Sequence, residues 1–159
     1  MIRVLLVDDQ AVVRRVLRTR FFLEPDLQVV GEASTGREAL TLAQTLSPDV
    51  VLMDIAMPGM DGIEATVAMH RKVPQSAVII LSISDDRQTR EQAQDAGAVA
   101  FVEKRGATEK LLSAIRLAFG QAGTRYKGEK QWTVHPILRA INRWTVLLWL
   151  LIRSNKLHA

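Results

Sequence analysis

A parallel, doubly wound α/β sheet of five strands with helices on both faces is the fold that residues 1–119 predict. Three observations predict it. Five short runs rich in Val, Ile and Leu are nearly continuous in hydrophobicity, as strands covered on both faces are. Segments of helical spacing separate them, so the order reads βαβαβαβαβα. The connections are short, and right-handed crossovers then place helices on both faces.

The first run, Ile2–Val7, leads into a helix over 11–23. There Val12, Val13, Val16, Leu17 and Phe21 form an apolar stripe while Arg14, Arg15 and Arg18 turn outward. Pro25 stops that helix. The second run is Gln28–Ala33, with Glu32 a strand-end acid, and its helix spans 36–46 before Ser47-Pro48 closes it. The third, Asp49–Asp54, meets a tight loop marked by Pro58-Gly59 and Asp61-Gly62. A helix over 61–72 follows, capped by Asp61 and carrying His70 as a surface imidazole. The run Ala77–Ser82, a helix over 86–96, the run Ala100–Glu103 and a helix over 108–119 complete the domain.

Composition narrows the class. Apolar residues make up 48% and charged residues 24%, the usage of a globular chain rather than a disordered one. With Cys 0, disulfide frameworks, thiolate nucleophiles and Cys-based zinc sites are all excluded. Two carboxylates by residue 9 leave no apolar signal-peptide region, and a cytoplasmic location is the expectation. Charge is unevenly placed: residues 120–159 hold seven Lys and Arg against the single acid Glu129, leaving 14 bases and 16 acids before them. Trp132, Trp144, Trp149 and Tyr126 also lie in that last part. The break predicts a boundary near Gly120–Gly123, and assigns the high pI to the tail.

In a sheet of this kind ligands bind outside the carboxyl ends of the strands. The residues that end the runs are therefore the informative ones. They are Asp8-Asp9, Asp54, Ser82 and Lys104. Singly, each has a plain structural role as turn, cap or solvated charge. Together, three carboxylates, a hydroxyl and an ammonium converge on one edge. Crowded carboxylates call for a hard divalent cation with oxygen ligands, and Mg²⁺ suits that set. Beside a metal and an ammonium, a carboxylate can attack phosphorus and form an acyl phosphate, and Asp54 is the acid placed for it.

The strings VLLVDDQ, DVVLMDIAMPGMDGIEA, VIILS and AGAVAFVEK resemble the receiver domain of bacterial two-component response regulators, most closely the NarL/FixJ type. The resemblance covers residues 1–119 and implies the flavodoxin-like, CheY-like fold. It implies that Asp54 accepts a phosphoryl group from a sensor histidine kinase, as a switch and not a turnover enzyme. It further implies Mg²⁺ held by Asp9 and Asp54 directly, by Asp8 through water and by the Ala56 backbone carbonyl. Ser82 and Lys104 would bind phosphoryl oxygens. Phe101 stands where the family carries its switch aromatic, coupling the site to the face built from the last two helices and the last strand.

Three features depart from the family pattern. Ile83 follows Ser82 where a small residue is usual, which predicts a narrower path to the acyl phosphate. Arg105 replaces the common Pro after Lys104. A helix-turn-helix of roughly 60 residues does not fit the remaining chain, so DNA binding is not carried over and a truncated transcriptional regulator is the alternative. A Mg²⁺-dependent phosphohydrolase is the other rival, but it needs a second acid where Ala56 stands. Beyond a basic linker over 120–135, residues 136–153 read as an apolar helix beginning at Pro136. Its unbroken apolar run, Trp144–Ile152, is nine residues against the roughly 20 that span a bilayer. Three origins stay open for it: a helix packed on protein, an interfacial anchor, and a shifted reading frame. Packing in a homodimer ranks first.

Overall fold

The computed structural model describes residues 1–84, 86–106 and 108–125, with side chains up to Gly120. The linker from residue 126 and the apolar stretch 136–153 lie outside the described residues. Five strands and five helices alternate: β1 (Ile2–Val7), α1 (Ala11–Phe22), β2 (Leu27–Ala33), α2 (Gly36–Leu46), β3 (Val50–Asp54), α3 (Gly62–Lys72), β4 (Ala77–Ser82), α4 (Arg87–Asp95), β5 (Ala100–Glu103) and α5 (Thr108–Arg125). All pairings are parallel, in the order β2-β1-β3-β4-β5. The chain leaves β1 first to one side and then to the other, so the switch point lies between β1 and β3.

Alternation along the strands divides the apolar side chains into two cores. Leu5, Val7, Val51, Met53, Val78 and Ile80 pack with Ala39 and Ala43 of α2, Ala65 and Met69 of α3 and Ala93 of α4. Val4, Leu6, Leu52, Ile79 and Leu81 pack on the opposite face with Phe21 of α1 and Leu111, Leu112 and Ile115 of α5. Small residues on α2 and α3 let those helices sit close to the sheet. Burial of β1, β3 and β4 is nearly complete, which fixes the height of their carboxyl ends.

Local chemistry sets the helix starts. Thr35 Oγ1 accepts from the Glu38 amide at 3.2 Å while Glu38 Oε2 accepts from the Ser34 amide at 2.7 Å, a reciprocal cap on α2. Asp61 Oδ1 caps α3 through the Glu64 amide at 2.8 Å, as its sequence position predicts, and Asp86 Oδ1 caps α4 through Thr89 at 2.8 Å. At Gly62 an added Cβ would collide with the Asp54 carbonyl oxygen, so only glycine lets α3 begin against the end of β3.

Two sequence expectations need correcting. On α1, Val12 and Val16 are exposed at 71% and 61%, while Val13 and Leu17 are half-buried and Phe21 is buried. Residues 13, 17 and 21 follow one line along the helix; 12 and 16 lie about 100° around it. Arg14, expected to face solvent, turns inward. The last helix also runs to Arg125, through Gly120 and Gly123, rather than ending at 119. Among the described residues, no helix is long and apolar enough to cross a membrane.

Candidate functional site

The carboxyl ends of β1, β3, β4 and β5 bring Asp8, Asp9, Asp54, Ser82 and Lys104 to one edge, as their positions in sequence predict. One oxygen from each of Asp8, Asp9 and Asp54 falls within 4.8 Å of the others. Asp8 and Asp54 are buried, at 1% and 3% exposure, whereas Asp9 is exposed. Lys104 reaches across the crevice from β5. Its Nζ lies 2.7 Å from Asp8 Oδ2 and 2.9 Å from Asp54 Oδ1. The backbone places it: the Lys104 amide donates to the Ser82 carbonyl at 2.7 Å, extending the β4–β5 ladder by one residue.

Burial would lower the Lys104 pKa, but hydrogen bonds to Asp8 and Asp54, with their charges, hold it above the ordinary lysine value. The ammonium is therefore charged at neutral pH. It balances one of three carboxylates. Two buried acids beside a third leave an excess of negative charge that only a cation can neutralise without protonation. The donor set is all oxygen, and it fits a hard divalent ion such as Mg²⁺ better than a thiophilic or imidazole-seeking metal.

Both carboxylate oxygens of Asp8 are engaged. Its Oδ1 accepts from the Gln10 amide at 2.9 Å, closing the turn into α1, and its Oδ2 takes the lysine. Ser82 is 8% exposed, and its Oγ accepts from the Ser84 amide at 3.2 Å. Ala56 is exposed in the loop after β3, and Ile83 is 53% exposed immediately after Ser82. Phe101 is half-buried against the core shared with α2–α4, and the Arg90 guanidinium of α4 lies 4.7 Å from its ring centre. His70 stays exposed and packs beside Gly97, whose φ of +99° needs glycine.

One part of the site escaped the sequence reading. Arg14 Nη1 donates to the Asp8 carbonyl at 2.6 Å, and its Nε donates to Glu32 Oε2 at 3.1 Å. Glu32 also pairs with Arg18 at 3.3 Å. A lone strand-end acid is thus the anchor of a guanidinium directed at the aspartate pair. The one signal available was an acid at the end of the strand next to a helix rich in arginine.

Comparison with known proteins agrees with this geometry. The family described as "Response regulator receiver domain" matches residues 4–116. Among curated proteins, the transcriptional regulatory protein LiaR of Bacillus subtilis is 43% identical over 118 residues, covering 74% of this chain and 56% of LiaR. The chain thus spans little more than half of that relative. Among solved structures, the signal receiver domain of a NarL regulator from Mycobacterium tuberculosis aligns with a TM-score of 0.71 at 32% identity, covering 75% of this chain and 96% of that one. A CheX–CheY complex from Borrelia burgdorferi, solved with BeF₃ and Mg²⁺, aligns at 0.68 with 28% identity over 74% of this chain and 89% of its own.

Proposed function

The chain belongs to the response regulator receiver family, and on that premise we propose that it is a phosphorylation-operated switch whose acceptor is Asp54. The observation that carries this reading is the Lys104 ammonium bridging Asp8 on one strand end and Asp54 on the next, inside a cluster of three carboxylates. In the transfer, an oxygen of Asp54 attacks phosphorus while the phosphorus–nitrogen bond to the donor imidazole breaks. The electron pair leaves with that nitrogen, and the product is an acyl phosphate. Lys104 and the Ser82 hydroxyl meet the phosphoryl oxygens, and Lys104 holds the attacking carboxylate in place.

Asp9 and Asp54, with the Ala56 carbonyl, would hold Mg²⁺ directly. Asp8 would act through water, a role supported by the two hydrogen bonds its oxygens already accept. When bound, the ion supplies positive charge that lets an anionic carboxylate approach an anionic phosphoryl group. Receiver domains are switches rather than turnover enzymes, and the expected partner is a sensor histidine kinase. Phe101, set between the core and Arg90, is the element expected to report the state of Asp54. A homodimer is the proposed assembly. LiaR's name describes a protein of which this chain spans 56%, so the reading ends at phosphotransfer.

Acetyl phosphate with Mg²⁺ tests the assignment directly. Intact-mass measurement should show one phosphoryl adduct on the full chain and none on Asp54→Ala. Labelling that survives in the variant overturns Asp54 as acceptor.

A further inference from the structure

We propose that Arg14 is a positioning residue for the metal-holding acids, acting through the peptide that joins Asp8 to Asp9. The inference rests on the reading of Asp9 and Asp54 as direct ligands. Asp8 is gripped at four points. Its amide donates to the Ala33 carbonyl at 3.1 Å, its Oδ1 takes the Gln10 amide, its Oδ2 takes Lys104, and its carbonyl takes Arg14 at 2.6 Å. Asp9 differs: its side chain is exposed, and no hydrogen bond from the described residues holds its carboxylate. Where that carboxylate sits depends on its backbone.

The backbone in question is the Asp8–Asp9 peptide, which is planar and rigid. Fixing its oxygen fixes its plane, and with it the Cα of Asp9. Arg14 does so with a side chain only 16% exposed, using the two arms of one guanidinium. The second arm is locked on Glu32 Oε2, and Arg18 occupies Glu32 Oε1 at 3.3 Å, so the anchor is itself held. The arrangement ties the end of β2 to the loop after β1 through α1. Glu32, shared with Arg18, offsets part of the Arg14 charge and so lowers its electrostatic cost to a cation nearby.

Arg14→Lys separates geometry from charge, since it keeps the cation and loses the planar fork. Calorimetric titration of the full, unphosphorylated chain with Mg²⁺ alone should show roughly 10-fold weaker binding in Arg14→Lys. Glu32→Gln should weaken binding by a smaller factor, and the double variant should be no worse than Arg14→Lys. The amide resonance of Asp9 should move in both single variants before metal is added. Thermal melting without metal provides the control. A lowered melting temperature with unchanged Mg²⁺ affinity makes Arg14 merely structural and overturns the inference. So does wild-type affinity in Arg14→Lys with tighter binding in Arg14→Ala, which would assign the effect to charge. If the wild-type chain itself binds no Mg²⁺, the reading of Asp9 and Asp54 as ligands falls, and this inference with it.

Discussion

The crevice between β1 and β3 and the edge formed by α4 and β5 share one sheet but are built differently. At the crevice every residue of β3 and β4 is buried, and Asp54 and Ser82 continue strands with nothing loose beneath them. At the other edge β5 is only half-buried along its length, and α4 buries the single residue Ala93. Phe101 on β5 packs against the core only in part and carries the Arg90 guanidinium of α4 over its ring. Chemistry needs groups held to fractions of an ångström, so it stands on the fully buried strands. A response needs an element that can rearrange at modest cost, and thinly packed segments supply it.

Four measurements would break or sharpen that contrast. The largest effect is expected at the crevice. Lys104→Met strands two buried carboxylates, so chemical denaturation without metal at neutral pH should show a loss of about 3–5 kcal/mol. Added Mg²⁺ should recover part of it. A loss below about 1 kcal/mol would mean the pair is already screened by solvent.

Core truncation compares the two regions directly. Leu52 is wholly buried in β3, and Leu52→Ala should cost about 2–5 kcal/mol in a urea titration. Val102 is half-buried in β5, and Val102→Ala should cost about 1 kcal/mol, since much of its surface is already wet. Equal losses would erase the distinction. At the start of α4, Asp86→Ala removes the acceptor for the Thr89 amide and should lower the melting temperature by less than Val102→Ala does. Amide exchange should rise in α4 and leave β3 unchanged.

The smallest effect is with pH. The Ser34 amide, with the Ser34 hydroxyl, holds the Glu38 carboxyl below its ordinary value of 4.5. A depressed carboxyl stabilises the fold above the unfolded value and loses that contribution as pH falls through the folded one. Melting temperature should therefore decline below about pH 4.5, and Glu38→Gln should flatten that decline slightly.

Much of the fold is legible in the residues because each strand is a short apolar run and α2, α3 and α4 each begin on a capping side chain. Ile2–Val7, Ala77–Ser82 and Ala100–Glu103 stand where hydrophobicity alone puts them. Asp61 caps α3 because an acid before an apolar helix has a local use wherever the helix packs. The end of α5 was less legible. Glycine costs a helix only about 1 kcal/mol relative to alanine, so Gly120 and Gly123 do not stop it as a proline would.

The sequence by itself determined the strand ends and hence which acids meet, because parallel strands joined by crossovers leave their carboxyl termini on one edge. Only the tertiary structure decided how those acids are held. A periodic stripe on α1 shows that one side is apolar; it does not show how far the helix is rolled against the sheet. That roll leaves Val12 and Val16 in solvent and carries Arg14 over the end of β1. It is set by Phe21 seated in the core and by Glu32, eighteen residues beyond Arg14, waiting on the neighbouring strand. Long-range charge pairing of this kind depends on strand order, and strand order is a property of the assembled sheet.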